Sequence, residues 1–224
     1  MKRVGNYRGG SVTPDRYEEV ERRALPNWET FFSTILEFIP GGSVKILELG
    51  CGTAFLTGFI REAIPDASIT CIDRDPGMLA VARAKPGLEG VTFLEGDLRV
   101  VWPEGTFDVV VSSCCLDAIP PEERLTLLQK IARSLTREGR LIIGDVFLPE
   151  QEWEIGMYLA HWRHYMQQSD LSEEEEELMI SSFDEAIPIL STVSGYLSLL
   201  EEAGFDRVLC PYWYEMYAVL VAFK

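Results

Sequence analysis

Short apolar runs and amphipathic segments alternate along the middle of this chain, and this alternation restricts the possible folds most strongly. A short apolar run between glycine, proline or polar residues is typical of a buried strand, whereas apolar residues at helical spacing are typical of a helix packed on a sheet. Their alternation predicts a doubly wound α/β sheet of parallel strands. The predicted strands are residues 44–49, 68–72, 91–94, 107–112 and 140–146, and the predicted helices between them are residues 54–64, 76–84 and 121–135.

The segments that flank this alternation predict a helical cap and a sheet edge. Pro14 is expected to open a first helix, and Asn27 to cap a second. Near the C-terminus, two closely spaced apolar runs predict an antiparallel hairpin. We therefore expect a single domain over residues 1–224, with a seven-stranded, mostly parallel Rossmann-like sheet, an antiparallel C-terminal hairpin and a helical cap. The flanking helices are predicted at 14–24, 27–38, twice within 150–180 and at 192–203, the hairpin strands at 207–214 and 217–223, the N-terminal cap helices within 14–40 and the inserted cap at 148–190.

The charge balance restricts the possible partners. Twenty Lys and Arg residues stand against 36 Asp and Glu residues, which gives a formal net charge of −16. Binding of nucleic acid and of anionic lipid relies on basic residues that neutralise phosphates, so we expect neither as the main partner. Any contact with an anion is expected at the N-terminus, because six basic residues fall within the first 23: Lys2, Arg3, Arg8, Arg16, Arg22 and Arg23.

Cysteine usage and apolar runs predict the cellular compartment. The chain has five cysteines, and no two of them show the two-residue gap of a zinc or redox site. No run approaches the ~18 apolar residues of a membrane span, and the basic N-terminus lacks the apolar stretch of a secretion signal. We expect free thiols, no bound metal and a cytoplasmic protein.

A glycine-rich turn follows the first predicted strand. Gly50 and Gly52 lie between that strand and a helix, and they allow the backbone to approach a ligand closely because neither has a side chain. The N-terminus of the following helix is expected to offer unpaired N–H groups. Asp73 ends the next strand, where nucleotide-binding sheets place an acid that accepts hydrogen bonds from both ribose hydroxyls. Loop, helix and acid together predict a nucleoside site.

The sequence Glu-Leu-Gly-Cys-Gly-Thr at residues 48–53 resembles motif I of the class I methyltransferases, which bind S-adenosylmethionine. The resemblance covers residues 44–146, and includes an acid two residues before the first glycine, Glu48. Asp73 is similar to the ribose-binding acid of these enzymes, and Asp97 to the residue that meets the adenine amino group. Where many members have a third glycine, this chain has Ala54.

The resemblance implies a set of residues around the methyl donor. Tyr17 and Arg22 lie in a loose match to an element that closes over the methionine tail in related enzymes, although a solvated helix face explains them equally well. The carbonyls of motif I are expected to accept from the tail ammonium group, and the acidic chain suits a sulfonium cation. The implied donor-binding residues are Tyr17, Arg22, Glu48, Gly50, Cys51, Gly52, Asp73, Arg74, Met78, Asp97, Leu98 and Ser113.

The acceptor is expected to lie under the cap. Methyl transfer is an in-line displacement, so the enzyme must mainly align the acceptor and exclude water. Both histidines of the chain, His161 and His164, fall in the aromatic part of the inserted cap. We hypothesise that one of them contacts a small-molecule acceptor, together with Tyr158 or Asp117. A histidine that merely fills a cap interface is the competing interpretation.

Three alternatives remain at this point. A non-catalytic nucleoside-binding module would keep the donor pocket without the chemistry. The last 35 residues and the helical insertion faintly resemble the enzymes that make carboxy-S-adenosylmethionine. Those enzymes hold the extra carboxylate with an arginine, where this chain has Gln167. A nicotinamide oxidoreductase is disfavoured by the missing third glycine. The sequence leaves the acceptor atom open, and also the choice between monomer and homodimer.

Overall fold

One seven-stranded sheet forms the centre of the computed structural model, which describes residues 12–224. The strands are Lys45–Leu49 (β1), Ser68–Asp73 (β2), Thr92–Glu95 (β3), Phe107–Ser113 (β4), Leu135–Val146 (β5), Arg207–Tyr214 (β6) and Tyr217–Phe223 (β7). Their order in the sheet is β3-β2-β1-β4-β5-β7-β6. The pairs among β1 to β5 are parallel, whereas β7 runs antiparallel to both β5 and β6. This arrangement confirms the predicted Rossmann-like sheet and its C-terminal hairpin.

Eight α-helices surround the sheet in the described part of the chain. They are Tyr17–Ala24 (α1), Trp28–Glu37 (α2), Phe55–Ala63 (α3), Pro76–Ala84 (α4), Pro121–Ser134 (α5), Glu152–Gln167 (α6), Glu173–Ala186 (α7) and Val193–Glu202 (α8), and a short 3₁₀ turn spans Leu116–Ala118. Over residues 12–224, no helix combines the length and the apolar character that crossing a membrane requires.

The side chains of each central strand alternate between two apolar layers. In β1, Ile46 packs into the layer that contains α2 and α3, whereas Leu47 and Leu49 pack into the layer that contains α5 and α8. All three residues are fully buried. Because the strands are covered on both faces, they appear in the sequence as continuous apolar runs.

Most predicted elements match the structure, and the differences have local causes. The first helix begins at Tyr17, because residues 14–16 form a turn before it. Asn27 does precede α2, but it adopts a left-handed conformation with φ 55° and its side chain caps no N–H group. The fifth strand begins at Leu135, which pairs with Phe107 across an irregularity in the register. Lys2, Arg3 and Arg8, three of the basic residues noted above, lie outside the described residues.

The inserted helices α6 and α7 pack against α1. Trp162 is buried, and its indole N–H donates to the carbonyl of Ala24 at 2.6 Å. Arg16, just before α1, forms an ion pair with Glu175 of α7 at 3.0 Å. These contacts attach the N-terminal helix to the inserted cap.

Gly144 lets α2 lie directly on β5. A Cβ atom at this position would come 2.6 Å from both Phe31 and Ile35 of α2, which are completely buried. Cβ contacts this short do not occur without displacement of a neighbour. The packing of α2 on the sheet therefore requires glycine here.

We predict that Gly144→Ala lowers the free energy of unfolding by about 1–3 kcal/mol, the usual cost of overpacking a core. Gly58→Ala in α3 is the matched control, since a Cβ there meets nothing within 4 Å. That control should be neutral or stabilising, because alanine is the better helix former. Urea denaturation of both variants measures the difference, and an unchanged midpoint for Gly144→Ala would contradict the packing argument.

Candidate functional site

A cavity of about 220 Å³ opens at the carboxyl edge of the sheet, where β1, β2, β3 and β4 end. In open α/β sheets this edge is the usual place for a ligand. Nine of the residues predicted as site residues line the cavity: Tyr17, Gly50, Gly52, Asp73, Arg74, Met78, Asp97, Leu98 and Asp117.

The glycine turn after β1 is fastened to the end of β2. The N–H groups of Gly50 and Cys51 both donate to the carbonyl of Ile72, at 2.8 and 3.2 Å. The N–H of Gly52 donates to the Asp73 carboxylate at 2.7 Å. The N–H donors of these three residues are therefore used to fix the turn.

The two glycines of the turn serve different purposes. A Cβ at Gly50 would lie 2.1 Å from the Cys115 sulfur, so this glycine makes room for the loop after β4. A Cβ at Gly52 would meet only the Tyr17 ring, at 4.0 Å, so Gly52 keeps the cavity itself open. Both have positive φ values. Ala54 stands in the third-glycine position and is also left-handed, with φ 64°.

Asp73 is held so that its carboxylate can bind a diol. One oxygen accepts from the N–H of Gly52 and the other from the N–H of Asp75, at 2.7 and 2.8 Å. Each carboxylate oxygen can accept a further hydrogen bond. Burial raises the pKa of Asp73, and the two N–H donors oppose that shift. The geometry fits a ligand that presents two neighbouring hydroxyl groups.

Asp97 is fixed by an arginine that sequence reasoning did not single out. The Arg99 guanidinium donates to both oxygens of Asp97, with a shortest contact of 2.5 Å, and it also pairs with Glu123 of α5 at 2.7 Å. The bonds from Arg99 lower the pKa of Asp97 to about 2. Asp97 is thus an ionised acceptor at the rim of the cavity, in a fixed orientation.

The helix α1 closes one side of the cavity. Tyr17 lies over Gly52. The neighbouring Glu18 accepts a hydrogen bond from Thr53 at 2.7 Å and forms an ion pair with Lys85. These contacts join α1 to the glycine turn and to the end of α4. Arg22, predicted to reach the donor, instead lies over the rings of Trp28 and Phe55, outside the cavity lining.

Glu48, Cys51 and Ser113 do not line the cavity, although all three were predicted to bind the donor. Glu48 is buried beneath the glycine turn, where its carboxylate accepts from Thr57 at 2.6 Å. Burial raises its pKa to about 7. Cys51 is also buried, and Ser113 ends β4 with its hydroxyl directed at the Cys114 sulfur. Glu48, Cys51 and Ser113 therefore belong to the packing around the glycine turn and the end of β4.

The two histidines lie away from the cavity lining. His161 is exposed and contacts Glu215 in the β6–β7 turn at 2.9 Å, and His164 contacts Gln168 on the same helix at 2.7 Å. Tyr158 is partly buried on α6, and burial raises its pKa. Of the four residues predicted to meet the acceptor, only Asp117 lies in the cavity wall, so the roles of the other three stay predictions.

Arg124 is a buried charge that sequence reasoning missed. It is 1% exposed, and one guanidinium nitrogen donates to the carbonyls of Asp117, Ile119 and Ile189, at 3.2, 2.8 and 2.7 Å. Another nitrogen donates to Ser191 at 2.6 Å. Arg124 therefore joins the cavity wall to the segment that ends the inserted cap. Its position on the buried stripe of α5, four residues before Leu128, was the available signal.

Over the described residues, no cluster of His, Cys, Asp and Glu side chains is arranged as a metal site. None of the five cysteines, all of which the structure describes, forms a disulfide.

Comparison with known proteins shows what this chain is similar to. A family model described as a methyltransferase domain matches residues 46–139. Malonyl-[acyl-carrier protein] O-methyltransferase of Bacillus cereus is 29% identical over 130 residues, which span 58% of this chain but only 45% of that relative. Carboxy-S-adenosyl-L-methionine synthase of Chromohalobacter salexigens is 25% identical over 235 residues, which cover 100% of this chain and 86% of the relative.

Among solved structures, the plantazolicin methyltransferase BpumL in complex with S-adenosylhomocysteine (SAH) superimposes with a TM-score of 0.66. The identity is 18%, and the match covers 93% of this chain and 90% of that one. At this identity the likeness concerns the fold alone.

We predict that Glu48 makes the protein less stable as the pH rises. Its pKa is about 7 in the folded protein, against an ordinary value of 4.5, so the folded state binds the proton more tightly. The stabilisation from this group is complete below pH 4.5 and is lost as the pH rises to 7. Glu48→Gln should therefore gain stability relative to the wild type between pH 5 and pH 8. Urea denaturation at pH 5 and at pH 8 measures the free energy of unfolding of each protein. Glu62→Gln is the control, because Glu62 is exposed. A parallel pH dependence in all three proteins would refute the assignment.

Proposed function

We propose that the chain is a class I S-adenosylmethionine-dependent methyltransferase, as the matching family model and relatives support, and that it transfers the donor's methyl group to a small-molecule acceptor by in-line displacement. The observation that carries the proposal is the composition of one cavity. The glycine turn, Asp73 and Asp97 meet there with the wall that follows β4, so a nucleoside site adjoins space for a second reactant.

The donor site proposed here uses the described contacts of the cavity. Asp73, already held by two N–H groups, would accept from both ribose hydroxyls. Asp97, Leu98, Met78 and the Arg74 stem would border the adenine. The carbonyls of the glycine turn and the Tyr17 ring would face the methionine tail. When bound, the donor supplies an electrophilic methyl group on a sulfonium.

The protein's task in this proposal is alignment and exclusion of water. The helix α1 covers the cavity through Tyr17, and Glu18 holds that helix to Thr53 and Lys85. Arg124 fixes the opposite wall by holding the carbonyls of Asp117 and Ile119. A role for His161, His164 or Tyr158 would require an acceptor that extends from the cavity to α6.

The proposal also covers the cellular compartment and the domain organisation of the enzyme. Five cysteines without a disulfide suit a reducing compartment, and we propose that the enzyme acts in the cytoplasm. We propose that residues 1–224 act as a single domain, as a monomer or homodimer, with the inserted helices as its cap. Nucleic acid is disfavoured as the acceptor by the net charge of −16.

We predict that Asp73→Ala weakens SAH binding by at least about tenfold, because two hydrogen bonds to an ionised acceptor are lost. Isothermal titration calorimetry measures the dissociation constant. Asp73→Asn is the second variant, since it keeps one acceptor oxygen and should lose less affinity. Asp66→Ala is the control, because Asp66 is exposed and lies outside the cavity lining. No binding of SAH to the wild type at millimolar concentration, or equal affinity in Asp73→Ala, would refute the proposed donor site.

A second candidate is the formation of carboxy-S-adenosylmethionine, because the relative of that name aligns along the whole chain. Gln167 stands at the position of the carboxylate-binding arginine in the expected alignment, and its amide contacts Glu176 of α7 at 3.2 Å, outside the cavity lining. A neutral amide cannot replace a charge-assisted bidentate contact. Mass spectrometry of the nucleoside released from the purified protein decides: a donor heavier by one CO₂ supports this candidate, and unmodified donor or SAH supports methyl transfer.

A further inference from the structure

We propose that two copies of this chain associate through the outer face of α6, with the two helices packed antiparallel about a two-fold axis at Ala160. The inference concerns assembly, so it stands independently of the reaction proposed above. It follows from apolar residues on both faces of α6, from the near absence of charge on the outer face and from the spacing of the exposed residues.

The helix α6 is apolar on two faces. On its inner face, Trp162 and Met166 are buried in the core layer on the α2 side of the sheet. On its outer face, Trp153 is 70% exposed and Met157 is 40% exposed. A surface helix usually presents a polar outer face, whereas a helix that is apolar all round is usually covered all round. The outer face of α6 is therefore expected to be covered by a further protein surface.

The outer face of α6 is nearly uncharged. Within α6, all of which the structure describes, the exposed residues include one acid and no lysine or arginine; they are Glu152, Trp153, Gly156, Met157, Ala160, His161, His164 and Gln167. The single arginine of this helix, Arg163, is half-buried and paired with Glu176 and Glu177 of α7. On α7, by contrast, five of the six exposed residues are acidic, namely Glu173, Glu174, Glu177, Asp184 and Glu185, and the sixth is Ser181.

This charge pattern selects a second copy as the occupant. Each copy has a net charge of −16, so two copies repel each other across acidic surfaces such as that of α7. They can meet without opposing like charges where acidic side chains are missing, and the outer face of α6 is such a place. A basic partner would instead be drawn to the acidic helix.

The spacing of the exposed residues makes the face complementary to itself. They recur three and four positions apart and form one stripe along the helix, from Trp153 to Gln167. Ala160 lies seven residues from both ends of the stripe, so a two-fold axis there lays one stripe along the other, as a symmetric dimer requires. Antiparallel packing also sets the N-terminus of each helix beside the C-terminus of the other, which the helix dipoles favour.

The centre of the stripe leaves room for a close approach. Both Gly156 and Ala160 are small, and a Cβ at Gly156 would meet nothing within 4 Å among the described residues. Glycine inside a helix is unfavourable relative to alanine by roughly 1 kcal/mol. The contacts of the single chain do not require it at this position, whereas a second helix packed against the stripe would use the space.

The β6–β7 turn extends the apolar surface beside the stripe. Glu215 in this turn contacts His161 of α6, and the Trp213 indole N–H donates to the Glu215 carbonyl at 2.9 Å. Trp213 and Tyr214 are 50% and 41% exposed. Six large apolar side chains are exposed in the part of the chain that the structure describes, and four of them lie on α6 or at this end of β6. Tryptophan, tyrosine and methionine are the residues enriched in protein interfaces.

Sedimentation velocity of the full-length protein tests the association. We expect the wild type to form a dimer within a concentration range of about 1 µM to about 200 µM. Met157→Glu should raise the dimer dissociation constant by at least about tenfold, because the two-fold axis brings both introduced acids close together. Val100→Glu is the matched control, since Val100 is 81% exposed in the loop after β3, at the opposite end of the sheet from β6, and should dimerise like the wild type.

A cysteine at the axis tests the geometry. In Ala160→Cys the two introduced thiols face each other across the axis, so mild oxidation should link the two copies by a disulfide. Thr126→Cys is the control, because Thr126 is exposed on α5 and away from the stripe. Electrophoresis without reductant should show a linked dimer for Ala160→Cys, and monomer for Thr126→Cys and for the wild type.

The outcomes separate this inference from the proposed function. Met157 lies outside the cavity lining, so Met157→Glu should bind SAH with wild-type affinity even as a monomer. Three results would overturn the dimer: a wild type that stays monomeric at about 200 µM, equal weakening by Val100→Glu, or no more cross-linking in Ala160→Cys than in Thr126→Cys. A monomeric wild type would mean that another occupant covers the stripe, and would leave the proposed reaction untouched.

Discussion

The fastening of the glycine turn to the end of β2 is the contact on which the rest of the site depends. Three consecutive N–H groups, those of Gly50, Cys51 and Gly52, are bonded to Ile72 and Asp73. A parallel sheet brings these strand ends to one edge, and the hydrogen bonds then fix the turn relative to the acid that should bind the ribose. One carboxylate therefore shapes the cavity and offers it an acceptor, so removal of Asp73 affects both functions.

Two further interactions hold the walls of the cavity. Glu18 joins the N-terminal helix to the glycine turn and to α4, and Arg124 joins the wall after β4 to the end of the inserted cap. The buried guanidinium makes four hydrogen bonds, which offset the cost of removing its charge from water. Both sides of the cavity are therefore linked to parts of the chain that are far away in sequence.

The sequence predicted the sheet and the donor side of the cavity because both depend on local patterns. The bounds of α4, β6 and β7 match the predicted ranges, since proline or a polar turn marks their ends. Gly52, Asp73 and Asp97 follow strands and could be placed by topology alone. The roles of Glu48, Arg22 and His161 depend on tertiary packing. Burial beneath the turn, contact with two aromatic rings and pairing with the distant Glu215 leave no mark in local sequence.

The acidic residues that matter for a ligand are those that line the cavity. A net charge of −16 disfavours polyanions in general, but screening by salt limits the reach of surface charges to about 10 Å. What a ligand meets in the cavity is a smaller set of acids that includes Asp73, Asp97 and Asp117, partly shielded from water. Asp97 is neutralised by Arg99, whereas Asp117 lies beside a second buried acid, Asp145. An acidic lining of this kind suits the positive charge of a sulfonium, which is the reactive part of the proposed donor.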